Sequence, residues 1–328
     1  MTGPVEQARW ERVTFRSGGE TCVGDLFHPP GAAPDERLPL IILGNGYGGL
    51  RGPVCPVAKL FAQSGYRALA IDYRYFGESG GSPRGSLFPL DQVEDFRNAI
   101  SAMRRRTDVN ADAIALWGTS FAGGIVLYAA AIDLRVKAVI AQVPVVDGHS
   151  WLRTMRDPAS FEDLLQAVAA DRETRHLGAP SLTIAKFASC RAGTLCGLAA
   201  DDQLALFMEA GARMRIAAGE ETADRISLES IERILEFSAE RFIDRIAPRP
   251  ILIAANLGRD SVHPYGDIMR AYNAALEPKT FQPLPMAQLD VYTSPGLEAA
   301  SAAQIDWLSK VLPTTGKSAG AVAQRASA

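Results

Sequence analysis

One stretch of the chain changes from strand to helix around a single serine, Ala113-Ile114-Ala115-Leu116-Trp117-Gly118-Thr119-Ser120-Phe121-Ala122-Gly123-Gly124-Ile125-Val126-Leu127. Its first half is a short apolar run, which is typical of a strand buried on both faces of a sheet. The chain then turns sharply at Gly118 and continues into an apolar helix. The small residues Ala122 and Gly123 let that helix lie close against the sheet. The stretch therefore predicts a nucleophile elbow, with the Ser120 hydroxyl pointing outward.

The usual form of this motif is Gly-x-Ser-x-Gly, and here Ala122 stands at the last position. A Gly-x-Ser at a strand end also has a purely structural interpretation, in which Ser120 only caps the helix that follows. The rest of the chain has to decide between the two.

Apolar runs alternate with helical patterns on both sides of the motif. A hairpin of two strands at 10–17 and 21–28 is followed by predicted strands at 38–43, 66–72, 136–143, 250–255 and 280–284. Predicted helices lie at 54–64, 89–105, 265–276 and 295–311. This alternation predicts an α/β fold with a doubly wound, mostly parallel sheet.

The alternation is interrupted once. Residues 148–245 are rich in Ala, Leu, Glu and Arg at helical spacing, and we interpret them as a helical cap over the sheet. Phe161, Phe187, Phe207, Met208 and Met214 belong to it and either enclose a ligand or form the cap's own core. The predicted organisation is thus an α/β core in two parts, 1–147 and 246–312, with the cap between them and a disordered tail at 313–328.

A glycine-rich loop, Gly44-Asn45-Gly46-Tyr47-Gly48-Gly49, follows the strand at 38–43. It resembles the loop of α/β hydrolases that holds the substrate oxyanion, where a His-Gly pair is common. The predicted donors are the backbone amides of Tyr47 and Phe121. The glycine spacing fits neither a phosphate loop nor a dinucleotide fingerprint.

Several further segments carry the same resemblance: Asp72-Tyr73-Arg74, Phe76-Gly77-Glu78-Ser79, Gln142-Val143-Pro144 and Ile243-Asp244-Arg245-Ile246-Ala247-Pro248. Over nearly its whole length the chain resembles the α/β-hydrolase superfamily. It is most similar to Xaa-Pro peptidase and dienelactone-hydrolase-like enzymes and to polyketide-associated hydrolases. The resemblance implies an enzyme that acts on an acyl or carbonyl group of a bulky small molecule.

In this family a catalytic acid follows the seventh strand and a histidine follows the eighth. Asp260 fits the acid, but Gln288 stands where the histidine is expected. Because an amide cannot accept the serine proton, a hydrolase would need another base. His263 borders the predicted site, although sharing a loop with its own acid is an awkward geometry. His149 is a second candidate near the sheet edge, and a loop histidine without catalytic function is the alternative for both.

Three functions remain open from the sequence. A hydrolase of ester, thioester or C–C bonds would use Ser120, Asp260 and a displaced base such as His263. A non-hydrolytic enzyme of polyketide-type biosynthesis would use the oxyanion hole to activate a carbonyl, with Gln288 positioning substrate. The third is a catalytically silent small-molecule binding protein. Gly46, Tyr75 and His149 are predicted to contact the small molecule in each case.

The overall composition is ordinary for a globular protein: 328 residues, 47% hydrophobic, with a net charge of −3. This charge argues against a nucleic-acid partner, and no apolar run is long enough to predict a membrane span. The four cysteines are scattered, and the N-terminal residues lack a signal-peptide pattern. We therefore expect free thiols, a cytoplasmic location, no cofactor or metal, and a monomer or homodimer.

Overall fold

The computed structural model describes residues 8–191 and 193–314, and within them it contains eleven strands and nine α-helices. The strands are β1 (Trp10–Ser17), β2 (Glu20–Phe27), β3 (Leu38–Gly44), β4 (Arg67–Ile71), β5 (Val109–Thr119), β6 (Val136–Gln142), β7 (Thr183–Ser189), β8 (Cys196–Ala200), β9 (Arg225–Ser227), β10 (Ile251–Asn256) and β11 (Lys279–Leu284). The helices are α1 (Cys55–Gln63), α2 (Pro89–Met103), α3 (Phe121–Ile132), α4 (Gly148–Thr154), α5 (Pro158–His176), α6 (Asp202–Ala217), α7 (Leu228–Glu236), α8 (Tyr265–Ala274) and α9 (Gly296–Val311).

Eight of the strands form one sheet in the order β1-β2-β4-β3-β5-β6-β10-β11. Strand β2 pairs antiparallel with β1 and with β4. The other neighbouring strands of this sheet, β4-β3-β5-β6-β10-β11, pair parallel. Strands β3, β4 and β10 are buried along their whole length, because helices cover both faces of the sheet. The predicted α/β fold with a mostly parallel sheet is confirmed.

The chain between β6 and β10 differs from the expectation of a wholly helical cap. It contains α4 to α7, but also a second sheet of three strands in the order β8-β7-β9. Strands β7 and β8 are short and contain several alanines, and β9 has only three residues, so all three lack the run of branched apolar residues by which the core strands are recognised. Of the apolar cap residues singled out from the sequence, Phe161 and Phe187 are buried, whereas Phe207 and Met214 are exposed on α6.

The domain boundaries stay a prediction. Of the predicted tail at 313–328, residues 315–328 lie outside the described part of the chain.

Candidate active site

Ser120 occupies a strained turn between β5 and α3. Its backbone has φ 56° and ψ −124°, a conformation that L-residues rarely adopt. The Ser120 amide donates to the Gln142 carbonyl at 2.9 Å, and the Ser120 carbonyl accepts from the Gly123 amide at 2.9 Å. A Cβ at Gly118 would lie 2.2 Å from the Ala122 carbonyl oxygen, so only glycine fits there. This packing fixes the predicted elbow at the carboxyl end of a central strand.

His263 faces the serine. Its Nε2 lies 2.9 Å from the Ser120 Oγ, and its Nδ1 lies 2.8 Å from the Asp260 Oδ2. Burial alone would raise the pKa of the Asp260 carboxyl. The charge of His263 and the hydrogen bonds from His263 and Asn256 outweigh burial and lower that pKa to about 2. The carboxylate therefore stays ionised beside the imidazole.

The acid and its histidine lie only three residues apart, and the turn between them explains how both reach the site. The Oδ1 of Asp260 accepts from the backbone amides of Val262 and His263, at 3.0 and 2.9 Å. This side-chain turn leaves Oδ2 free for the imidazole. The indole of Trp151 in α4 donates to the Val262 carbonyl at 2.7 Å and holds the turn from outside. The Asp260 side chain therefore forms the turn that lets an acid and a base three residues apart both take part in the site.

Gln288 is not hydrogen bonded to the serine. Its Oε1 accepts from the Ser261 amide at 2.8 Å and lies 3.1 Å from the Ser261 Oγ. Its Nε2 donates to Asp201 at 3.3 Å. The Gln288 side chain therefore supports the turn that carries His263.

The loop after β3 packs directly on the elbow. A Cβ on Gly46 would meet the Ser120 Cβ at 2.8 Å and the Thr119 carbonyl oxygen at 3.0 Å. Phe121 is the first residue of α3, so its amide has no acceptor within that helix. In residues 8–191 and 193–314 no backbone carbonyl accepts from the Tyr47 amide. Both amides thus lack a backbone acceptor in the described ranges, and their role as oxyanion donors stays a prediction.

A chain of buried hydrogen bonds runs under the elbow. The Trp117 indole, which can only donate, bonds to the Gln304 Oε1 at 2.8 Å. This fixes the Gln304 amide group, whose Nε2 donates to the Gln142 Oε1 at 2.8 Å. Gln142 in turn donates to the Thr119 hydroxyl at 3.3 Å, and Thr119 lies 3.3 Å from the Tyr292 hydroxyl. The chain thus reaches Thr119, which directly precedes Ser120. Sequence reasoning missed Tyr292, because no motif marks it.

Two predicted substrate contacts lie apart from this cluster. The Tyr75 hydroxyl donates to Asp91 at 2.8 Å, and the ring lines a cavity of about 570 Å³. His149 packs edge-on against Phe161 and lines a different cavity, of about 810 Å³. Ser120 lines neither cavity. The structure therefore brings Gly46 to Ser120 but not Tyr75 or His149.

Other sequence features have structural explanations. The cysteines are all free thiols, as expected. His28 packs against the Arg67 guanidinium and lies 3.2 Å from Glu11, so its polar surroundings are an ion-pair cluster. Asp147 caps α4 by accepting from the Ser150 amide at 2.8 Å. No α-helix in the described ranges is both long and apolar enough to cross a membrane.

Comparison with known proteins now adds the family. The model of the alpha/beta hydrolase fold matches residues 39–281. The chain is 36% identical over 173 residues to the quorum-quenching protein AidA of Acinetobacter baumannii, covering 52% of this chain and 56% of that protein. It is 33% identical over 175 residues to the thiohydrolase aneE of Aspergillus aculeatus, covering 53% of this chain and 52% of that protein. The crystal structure of the alpha/beta hydrolase GrgF from Penicillium superposes with a TM-score of 0.77 at 27% identity, covering 93% of this chain and 99% of that one.

The chain belongs to the α/β-hydrolase fold family. It spans about half the length of the curated relatives it matches. The curated Penicillium relative that shares the name GrgF, 33% identical over 141 residues and covering 43% of this chain and 46% of that protein, is called a polyketide transferase. The predicted α/β-hydrolase superfamily is confirmed, and its expected polyketide-associated relatives are among the chain's matches.

Proposed function

We propose that this protein is a serine hydrolase that cleaves an ester or thioester of a bulky small molecule through an acyl-enzyme on Ser120. One observation carries the proposal: His263 Nε2 lies 2.9 Å from the Ser120 Oγ, within the reach required of a general base. The base that Gln288 cannot supply is thus available from the loop of the acid.

The reaction follows from the site's own groups. His263 takes the Ser120 proton as the Oγ attacks the substrate carbonyl carbon. Asp260 orients the imidazole and stabilises the imidazolium that forms. The amides of Tyr47 and Phe121 donate to the oxygen that becomes negative. His263 then gives its proton to the departing alcohol or thiol, and water attacks the acyl-enzyme with His263 again as base.

This arrangement weighs against the two other functions considered. The argument for a non-hydrolytic enzyme is that the histidine expected at position 288 is absent. Because His263 Nε2 lies 2.9 Å from the Ser120 Oγ, a base is present and this argument no longer applies. A silent binding protein has no need of a strained serine backbone, which costs about 1–3 kcal/mol when nothing compensates it. The names of the relatives, a thiohydrolase and a polyketide transferase, support an activated acyl group as substrate.

Turnover of one acyl group presented both as a p-nitrophenyl ester and as an N-acetylcysteamine thioester tests the proposal. We expect a burst of released alcohol or thiol, with an acyl adduct on the peptide containing Ser120 by mass spectrometry. Ser120→Ala should lose the burst, and His149→Ala, a histidine outside the cluster, should keep it. Equal turnover by Ser120→Ala, or no adduct with either substrate, would contradict the proposal.

A further inference from the structure

The acid–base turn, residues 260–263, is held by a residue of the segment between β6 and β10. Asp201 precedes α6, and its Oδ2 accepts from the Ser261 hydroxyl at 3.0 Å and from the Gln288 Nε2 at 3.3 Å. The Arg259 guanidinium approaches the same oxygen at 3.4 Å. The Asp201 side chain is 16% exposed, whereas the Arg259 side chain is 76% exposed, so Asp201 meets these groups at the edge of the solvent. We propose that Asp201 is a positioning residue that, through Gln288, couples the seating of this segment to the placement of the catalytic base.

The direction of each hydrogen bond supports the coupling. A backbone amide can only donate, so the Ser261 amide forces Oε1 of Gln288 to face it. The Gln288 Nε2 must then point to Asp201, which accepts. Three donors converge on one carboxylate oxygen, and together they fix its position relative to Ser261 and Gln288. The inference rests on the proposed function, since a positioning residue has meaning only if His263 is the base.

The turn depends on support from outside because it is short. Asp260, which orients the imidazole, and His263 are carried by the same four residues, so a tilt of the turn moves acid and base together relative to Ser120. Ser261 lies between them and carries the contacts to Gln288 and Asp201. A shift of about 1 Å at a catalytic group can reduce the rate by roughly 100-fold.

Exchanging the acid and amide groups of Asp201 and Gln288 distinguishes a loss of base positioning from a loss of folding. The Asp201 Oδ1 caps α6 by accepting from the Leu204 amide at 3.0 Å, and asparagine caps helices equally well. Asp201→Asn therefore keeps the cap but turns an amide donor toward the Gln288 donor. Gln288→Glu alone sets two carboxylates against each other. Asp201→Asn with Gln288→Glu restores a donor facing an acceptor at unchanged net charge.

A matched control exists in the same segment. Asp157 caps α5 by accepting from the Ala159 and Ser160 amides, both at 3.0 Å, and does not contact the acid–base turn. Asp157→Asn makes the same chemical change at a helix start and should leave the activity as it is. The variants are compared in the full chain by kcat and KM with the thioester above.

We expect each single variant, Asp201→Asn and Gln288→Glu, to lose about 10- to 100-fold in kcat with KM little changed, and the double variant to recover most of it. The ring ¹⁵N resonances of His263, one of four histidines in the chain, should shift in Asp201→Asn and return in the double variant. This second readout needs no turnover, so it reports on the coupling even if no substrate is cleaved. Asp201→Asn matching Asp157→Asn in both readouts, or a double variant no better than the worse single one, would overturn the proposal.

Discussion

Lys186→Met should make the protein more stable at neutral pH. Lys186 lies on β7 with 2% of its surface exposed, and its Nζ has no hydrogen-bond partner in the described part of the chain. The ammonium faces the rings of Tyr47 and Phe76, with centroids 5.6 and 5.4 Å away. Burial, assisted by the positive charge of Arg215, lowers the pKa of Lys186 from 10.5 to about 7. The amine therefore costs stability that an apolar side chain of similar length would not.

The magnitude follows from proton linkage. A pKa of about 7 in place of 10.5, at ~1.4 kcal/mol per pH unit, corresponds to ~5 kcal/mol at pH values below both. Because the variant also loses the contact between the ammonium and the two rings, this gain in stability is reduced by ~2 kcal/mol. We therefore expect Lys186→Met to raise the free energy of unfolding by ~3 kcal/mol near pH 6.

The sign of the pH dependence gives a second test. Between about pH 7 and 10.5 the unfolded chain binds more protons than the folded one, so the wild-type protein gains stability as the pH rises. The advantage of Lys186→Met should shrink over that range. Urea unfolding near pH 6, 8 and 10 measures it, with Lys137→Met, at an exposed position on β6, as the control. An unchanged or falling stability of Lys186→Met near pH 6 would refute the assignment of an unpaired buried amine.

Three further predictions concern the site. Gly46→Ala should lower kcat by about 100- to 1,000-fold, because the new methyl group pushes the loop of Tyr47, one of the two proposed oxyanion donors, away from Ser120. Gly211→Ala, where nothing lies within 4 Å of the new methyl group, should leave kcat as it is, and steady-state kinetics compares the two. Tyr292→Phe removes the last hydroxyl of the buried chain, so kcat should fall by roughly 10-fold, with thermal unfolding checking that the fold is kept. Asp260→Asn should reduce kcat by about 10⁴-fold because the imidazole loses its orienting carboxylate, and an unchanged kcat would argue against that role.

The sequence predicted the sheet well because its central strands are continuous apolar runs and the elbow needs small residues at fixed places. Gly118 and Gly123 are required by contacts that a Cβ would violate. The strands β7 and β8 were missed because a short alanine-rich strand and a helix have similar composition. Local pattern does not determine which of the two such a segment forms.

The position of the base was harder to predict for a different reason. Because Asp260 and His263 are only three residues apart, the sequence suggests that one loop cannot direct both side chains to Ser120. The turn formed by the Asp260 side chain, which accepts from the Val262 and His263 amides, makes this possible. The support from Asp201 and Gln288 joins residues 87 positions apart, and no local pattern records it. The sequence predicts Tyr75 and His149 as substrate contacts, but in the structure they line other cavities.

The central claim is that His263, and not the residue at position 288, activates Ser120. Rapid-mixing measurement of the acylation burst with His263→Ala and Gln288→Ala tests it most directly. The account predicts that His263→Ala slows acylation by at least ~10³-fold, whereas Gln288→Ala retains a burst within about 100-fold of wild type. A burst that survives in His263→Ala and disappears in Gln288→Ala would contradict it.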